Sequence, residues 1–412
     1  MPIQIIHVSD IHFGSGENHG RLNPNSGLNS RFEDFVDSFN KVCDFSIENQ
    51  VDCLIFAGDA YKTANPEPIY QKYFASCIKK LSQHKINTIL LVGNHDQILK
   101  STKSHALSVF DSLKVEYVRV IDKPVLTTVK TKNGDFQLIG LPHITKNILN
   151  TNINYQSLGN IKTDEILIGE VTKILNGFYN ELNPNVPTVV TAHMTVDKAV
   201  SGIEEELLLG YSLTYPTSIF MDNRVDYVAL GHVHKHQVIN QSHPAIVYCG
   251  SVDRVDFGEE GEDKGFVKVN LDRLKTNYSF HSLNPRPFKT VDIDLKNIMD
   301  PASYLINEIN SIDINGCVLR VKYTINSQNL NELAKINFKD LCRNAFSYRL
   351  IANIEPDYER VRMPGLTKAI LESPKLAITS YLKENLNLNN DELTKFVNII
   401  NDLNAEILGE KE

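Results

Sequence analysis

Five short stretches carry the residues that can do chemistry: "SDIHFG" with Asp10 and His12, "AGDAYK" with Asp59, "GNHDQ" with Asn94, His95 and Asp96, "TAHMT" with His193, and "GHVHKH" with His232 and His234. Each follows an apolar run. If those runs are strands of one or two packed sheets, all five clusters meet at one edge. Asp10, His12, Asp59, Asn94, His193, His232 and His234 are then seven donors, more than one four- to six-coordinate ion uses, and one carboxylate can bridge two ions. Imidazoles mixed with carboxylates favour manganese, iron or zinc and disfavour calcium, which prefers oxygen shells. Two cations about 3.5–4 Å apart hold a bridging hydroxide as nucleophile and clamp a phosphate oxygen for in-line displacement. Phosphate-ester hydrolysis is the reaction such a site serves best.

The elements that must position these donors are legible as patterns. Apolar runs of strand length lie at 3–8, 51–57, 86–92, 186–192, 225–230 and 245–249, with helical periodicity between the early ones. Phe32, Phe35, Val36, Phe39, Val42, Cys43 and Ile47 share one face of a predicted helix, and Tyr70, Tyr73, Phe74, Cys77, Ile78 and Leu81 share another. "TTVKTKNGDFQLIG" reads as a hairpin with a type I′ turn around Asn133-Gly134. Strands alternating with helices predict a layered α/β sheet over residues 1–282, with function at the carboxyl ends of its strands. "LNPRPFKT", 283–290, reads as a linker because two prolines cannot continue a ladder. Residues 291–365 read as a small α+β domain. From Ser373-Pro374, a good helix start, the segment 371–412 reads as helical. Its stripe of Leu393, Phe396, Val397, Ile400, Leu403 and Ile407 packs on its own domain or binds a partner.

Composition sets outer bounds. The 412 residues contain no apolar run long enough to span a membrane, and "MPIQIIHVSD" lacks the features of a secretory signal, so the chain reads as intracellular and cytoplasmic. Six scattered cysteines without C-x-x-C spacing read as buried thiols. A net charge of −8 argues against nucleic-acid binding. The objection is local, since bound cations offset it and the segment from Arg320 to Lys368 carries nine Lys/Arg against five Asp/Glu.

Taken in order, D-x-H, G-D, G-N-H-D, an isolated H and G-H-x-H resemble the calcineurin-like metallophosphoesterase superfamily from residue 10 to residue 234. The resemblance implies an α/β/β/α sandwich with a smaller α+β capping domain and C-terminal helices. "IIHVSDIHFG", "CLIFAGDAYKTANP", "LLVGNHD" and "GSVDRVDFGEE" are similar to the DNA-repair branch of SbcD-type exonuclease subunits. That likeness implies two divalent ions, with manganese expected. Asp10, His12, Asp59 and His234 would hold one, and Asp59, Asn94, His193 and His232 the other. It implies that His95 stabilises charge or protonates the leaving oxygen, with Asp96 orienting its ring. It further implies 3′ to 5′ exonuclease and single-strand or hairpin endonuclease activity on DNA, an SbcC-type coiled-coil ATPase as partner, and a homodimer. The alternative within the superfamily is a small-molecule phosphatase or cyclic-nucleotide phosphodiesterase. Where some relatives carry a second histidine three residues after the bridging Asp, this chain has Lys62, which offers a point charge to phosphate. Arg254 is a second candidate for a phosphate or DNA contact, or else a member of a buried ion pair. His7, His105 and His143 read as structural, His236 as a loop residue, and "FGEEGEDKG" as a solvated acidic turn.

Overall fold

The computed structural model describes residues 2–97, 104–144, 160–200, 202 and 213–355, with 392, 395, 396, 398 and 399 of the C-terminal stretch. Strand β1 (Ile3–Val8) turns Ile3 and Ile5 to one face and Ile6 and Val8 to the other. Strand β2 (Cys53–Phe56) divides Cys53 and Ile55 from Leu54 and Phe56 in the same way, and β3 (Asn87–Leu91) divides Ile89 and Leu91 from Leu90. Parallel strands buried on both faces need apolar residues at every position, which is why these runs read as unbroken.

With β4 (Val118–Ile121), β13 (Gly265–Leu271) and β14 (Asn277–Ser282) they form a six-stranded sheet in the order β14-β13-β1-β2-β3-β4. The outer face of this sheet is covered by α1 (Ser30–Glu48) and α2 (Pro68–Gln83), through Phe32, Phe35, Phe39, Phe74, Ile78 and Leu81. Asn29 caps α1 by accepting the Arg31 N–H at 2.9 Å, and Pro68 opens α2. The short α3 (Ser108–Ser112) leads into β4.

A second six-stranded sheet has the order β11-β12-β10-β7-β6-β5. Its members are β5 (Val125–Thr131), β6 (Gly134–Leu141), β7 (Thr188–His193), β10 (Tyr227–Gly231), β11 (Gln237–Asn240) and β12 (Ala245–Tyr248). A two-stranded pair, β8 (Thr195–Val196) and β9 (Thr214–Tyr215), follows β7. Helix α4 (Asn160–Glu181) lays Val171, Leu175 and Tyr179 on the outer face. Between the two sheets Ile5, Ile55, Ile89, Phe136, Val189 and Tyr227 form a shared core, so the layers are α/β/β/α, as expected. His7 is buried in that layer, with its ring nitrogens 3.1 Å from the Tyr227 hydroxyl and 3.2 Å from the Leu230 carbonyl, the structural role read for it.

The β5–β6 hairpin exists, but its turn is displaced from the expected one. Thr131 pairs with Gly134, so Lys132 and Asn133 form the turn, and only Gly134 has positive φ, at 130°. Asn133 is also engaged outside the hairpin, its Nδ2 donating to both oxygens of Asp52 at 3.1 and 2.9 Å.

After the sandwich come β15 (Phe288–Asp294), α5 (Pro301–Asn310), β16 (Val318–Asn326) and β17 (Ser347–Glu355). They make a three-stranded sheet in the order β15-β16-β17, whose first two strands are parallel and joined through α5. Residues 1–325 and 331–353 form one compact unit, and 326–330 with 354–412 the other. The helical segment expected over 371–412 lies, but for five residues, outside the described residues. All six cysteines are buried and free, and no described helix is long and apolar enough to cross a membrane.

Candidate metal centre

Strands β1, β2 and β3 run parallel in one sheet, and β7 and β10 run parallel in the other. The five donor clusters therefore leave from carboxyl ends. The loop after β1 is zipped to the loop after β2: the Asp10 N–H donates to Gly58 O at 2.9 Å, and the Ile11 and His12 N–H groups donate to Asp59 O at 2.9 and 3.1 Å. The sheets are joined at the same edge by the His232 N–H, which lies 3.1 and 3.2 Å from the two oxygens of Asp10.

All seven expected donors meet. His12 Nε2 is 3.7 Å from Asp10 Oδ1, 3.6 Å from Asp59 Oδ2 and 3.0 Å from His234 Nε2. On the other side, His193 Nε2 is 3.2 Å from Asp59 Oδ2 and 2.9 Å from Asn94 Oδ1, which also lies 3.0 Å from His232 Nδ1. Asp10, His12 and His234 form one group with metal-ligand spacing, and Asp59, His193 and His232 form another. A third group joins His12, Asp59 and His95, so Asp59 stands between the two ends of the site.

The donor chemistry fits cations. His193 gives its Nδ1 proton to the Ala57 carbonyl at 2.7 Å, which leaves a lone pair on Nε2 facing the lone pairs of Asn94 Oδ1. His234 and His12 likewise meet nitrogen to nitrogen. Such facing pairs are stable only with a proton or a cation between them. The titration shifts show the same demand for positive charge. Burial alone would push the Asp59 carboxyl up, yet His193, His95 and His12 hold it well below the usual range. Burial would lower His193, but Asp59 and Asp10 raise it to about 9.

Residues 3–236 match the model of the calcineurin-like phosphoesterase family. The chain belongs to that family. It is also 24% identical over 305 residues to the SbcD component of nuclease SbcCD from Escherichia coli strain K12, an alignment covering 72% of each chain, and equally so to the same component from strain O157:H7. Among solved structures, a dimetal phosphatase from Danio rerio covers 69% of this chain and 98% of its own, at 12% identity and a TM-score of 0.38.

In this phosphoesterase the remaining expected residues divide. The His95 ring lies 4.9 Å from the His12 ring, and its Nδ1 donates to the Lys62 carbonyl at 2.8 Å. Lys62 is exposed and lines the open cleft beside the site. The role expected for Asp96 needs correction. Its carboxylate is fully buried and accepts the N–H groups of Asp59, Ala60 and Gly93, each at 3.0 Å, so it fixes the Asp59 loop and leaves the His95 ring to Lys62. Burial, and then the Asp59 charge, raise Asp96 to about 6. Arg254 is also corrected: its guanidinium donates to the main-chain carbonyls of Glu259, Pro285, Arg286 and Glu262, an internal brace with its donors turned from the cleft.

Two residues near the site were read otherwise from sequence. His143 follows β6, and its ring lies 6.4 Å from that of His193 and 6.3 Å from that of His232, with Nδ1 buried and unpaired. Its position after a third parallel strand was the available signal. Glu259 belongs to the segment read as a solvated turn, yet it is buried against His234. Nothing local distinguishes it from Glu260 and Glu262, which are half-buried. His236 lies in the loop before β11, as read, with its ring stacked on Phe280 at 4.2 Å.

Proposed function

We propose that this chain is a dimetal DNA nuclease subunit, acting as a 3′ to 5′ exonuclease on duplex ends and an endonuclease on single strands and hairpins. It works in DNA repair with an SbcC-type coiled-coil ATPase, in the cytoplasm. In this reading residues 1–282 carry the chemistry, 291–365 cap it over the 283–290 linker, and 371–412 engage the ATPase, with the chain forming a homodimer. Likeness to the Escherichia coli nuclease component supports the branch.

The observation that carries a polynucleotide substrate is the cleft. It encloses about 590 Å³, with His12, His95, His234 and Lys62 at the site and Arg320 and Arg349 of the three-stranded sheet also on its wall. Arg320 is held in place over the Phe257 ring at 4.2 Å, with Nε and Nη2 donating to Thr290 Oγ1 at 3.1 and 3.0 Å. A small ester uses the histidines alone, whereas a strand carries further phosphates for the arginines.

Asp10, His12, Asp59 and His234 would hold one ion, and Asp59, Asn94, His193 and His232 the second, with manganese the expected metal. Bound there, the two cations supply Lewis acidity toward phosphate oxygens and lower the pKa of the attacking water. The protein's own groups do the rest. Asp96 holds the main chain that aims Asp59, and the Ala57 carbonyl fixes the tautomer of His193. His95, its Nδ1 proton tied to Lys62 O, offers Nε2 to the developing charge or the leaving oxygen. The Lys62 ammonium, at the cleft, meets a non-bridging oxygen.

The test is the full chain with manganese, alone and with its ATPase, on hairpin, single-stranded and duplex-end DNA beside p-nitrophenyl phosphate and cyclic nucleotides. Cleavage of DNA is expected. Intact DNA under conditions where the small esters are hydrolysed would overturn the nuclease reading and leave the phosphatase.

A further inference from the structure

Glu259 is 1% exposed, and every oxygen of its carboxylate is used. Oε1 accepts from His234 Nδ1 at 2.7 Å, while Oε2 accepts the Val255 N–H at 2.9 Å and lies 3.0 Å from Lys264 Nζ. Lys264 is fully buried as well, and its ammonium donates to the main-chain carbonyl of His234 at 2.9 Å and to Glu262 at 2.7 Å. A buried ion pair thus grips His234 twice, by its ring through Glu259 and by its backbone through Lys264.

A carboxylate only accepts hydrogen bonds, so Glu259 places the imidazole proton on Nδ1 and turns the Nε2 lone pair toward His12 and Asp10. The grip is one-sided. On the other half of the site, the Nδ1 proton of His193 goes to a neutral main-chain carbonyl, and Asn94 is itself neutral. Anionic support behind an imidazole makes it a more basic ligand than carbonyl support does. Two buried charges are costly to hold in a fold unless they are paired and hydrogen-bonded, and here each member of the pair makes one hydrogen bond with the same histidine.

Resting on the dimetal reading above, we propose that Glu259, braced by Lys264, is a positioning residue that selects the Nδ1-protonated form of His234 and strengthens cation binding at the Asp10–His12–Asp59–His234 half of the site alone.

The experiment uses the full chain stripped of metal by chelation and titrated with Mn²⁺ by calorimetry, with ¹⁵N-histidine NMR reporting the His234 tautomer. The wild type should take up two ions and show the His234 proton on Nδ1. Glu259→Gln keeps an accepting oxygen and the side-chain size but removes the charge. It should weaken one of the two binding steps about 10- to 100-fold and leave the other unchanged. Glu259→Leu should in addition let the His234 ring populate the other tautomer. Two unchanged binding steps in both variants would overturn the proposal, as would equal weakening of both steps in Glu259→Gln with an unaltered circular-dichroism spectrum. A wild-type His234 carrying its proton on Nε2 would overturn it without any variant. A wild type that takes up no Mn²⁺ would instead refute the dimetal reading itself, an outcome distinct from two normal sites indifferent to Glu259.

Discussion

Gly93 offers no ligand atom of its own beside Asn94, yet adding one methyl group to it should disable the centre. A Cβ there would lie 2.1 Å from Asp59 Oδ1, 2.5 Å from Asp59 N and 2.8 Å from Asp59 Cγ. Ordinary van der Waals contact begins near 3.4 Å, so something must move by about 1 Å. Asp59 is poorly free to do so. Its N–H is held by Asp96, its carbonyl by the Ile11 and His12 N–H groups, and its Oδ1 by the His95 N–H at 2.9 Å. Gly93 cannot retreat either, because its own N–H is bound to the same Asp96 carboxylate. Overpacking of this kind costs about 1–3 kcal/mol of stability, and a misplacement of about 1 Å at a reacting centre costs roughly 100-fold in rate. Gly93→Ala should therefore lose about two orders of magnitude in kcat on bis-p-nitrophenyl phosphate, bind manganese more weakly at both ends, and stay folded. Gly261→Ala, whose Cβ would meet nothing within 4 Å, is the control and should behave as wild type. A Gly93→Ala enzyme with normal kcat and two normally bound ions would refute the claim that packing against Asp59 fixes the bridging carboxylate.

Three other outcomes are expected. Asp59→Asn should weaken both ions and abolish activity, while His95→Ala should keep two ions by elemental analysis and slow turnover by about 10²–10⁴-fold; equal metal loss in both would defeat the division of roles. His7 is held at about 3 because burial opposes its charge, and it titrates near 6.5 in the unfolded chain. Its contribution is then fully present above pH 6.5 and is lost as pH falls from 6.5 toward 3, on the order of a few kcal/mol in total. In chelator, urea midpoints of His7→Asn should fall less between pH 7.5 and 5 than those of the wild type, and identical slopes would contradict the assignment. Gly177, exposed on α4 with open space at its Cβ, should gain about 0.5–1 kcal/mol as Gly177→Ala, read as a raised thermal midpoint.

Much of this was legible because the central strands are buried on both faces. Their side chains cannot be polar, so the runs at 3–8, 86–92 and 245–249 coincide with β1, β3 and β12 to within one or two residues. Of the edge strands, β5 was read as an arm of the hairpin, but β11 and β14 were not. In β11 every residue is half-buried, and β14 has only exposed and half-buried residues, which leaves little apolar signal. The same limit applies at the site. Donors sitting just after strands are a local pattern, whereas the services rendered by Asp96, Arg254 and Glu259 go to groups brought near only by folding. Asp96 was assigned to its sequence neighbour His95, but its three acceptor contacts are to main chain, two of them on a different loop. Charge runs mislead for the same reason: within "EEGEDK", Glu259 and Lys264 are buried while Asp263 is exposed, and only the position of His234 decides between them.

The spacing of the donors has a further physical content. In D-x-H and H-x-H the middle residue is an apolar plug: Ile11 is buried in the layer beneath α1 and α2, and Val233 is buried in the layer beneath α4. Donors at i and i+2 then face the cations from one side of the chain while the residue between fastens the loop to a helix-covered core. Such sharp exits need unusual backbone, and Asp10, His12, Asp59 and His232 all lie in the left-handed region, with φ of 53°, 50°, 63° and 96°. For residues with a side chain this costs roughly 1–3 kcal/mol each, which a structure tolerates only where its surroundings enforce it. Here the enforcement is visible in the main-chain bonds from residues 10–12 to 58 and 59 and in the Asp96 latch. Strain, facing lone pairs and buried carboxylates are each unfavourable in a packed core. Their coincidence at one sheet edge is a structure arranged around positive charge.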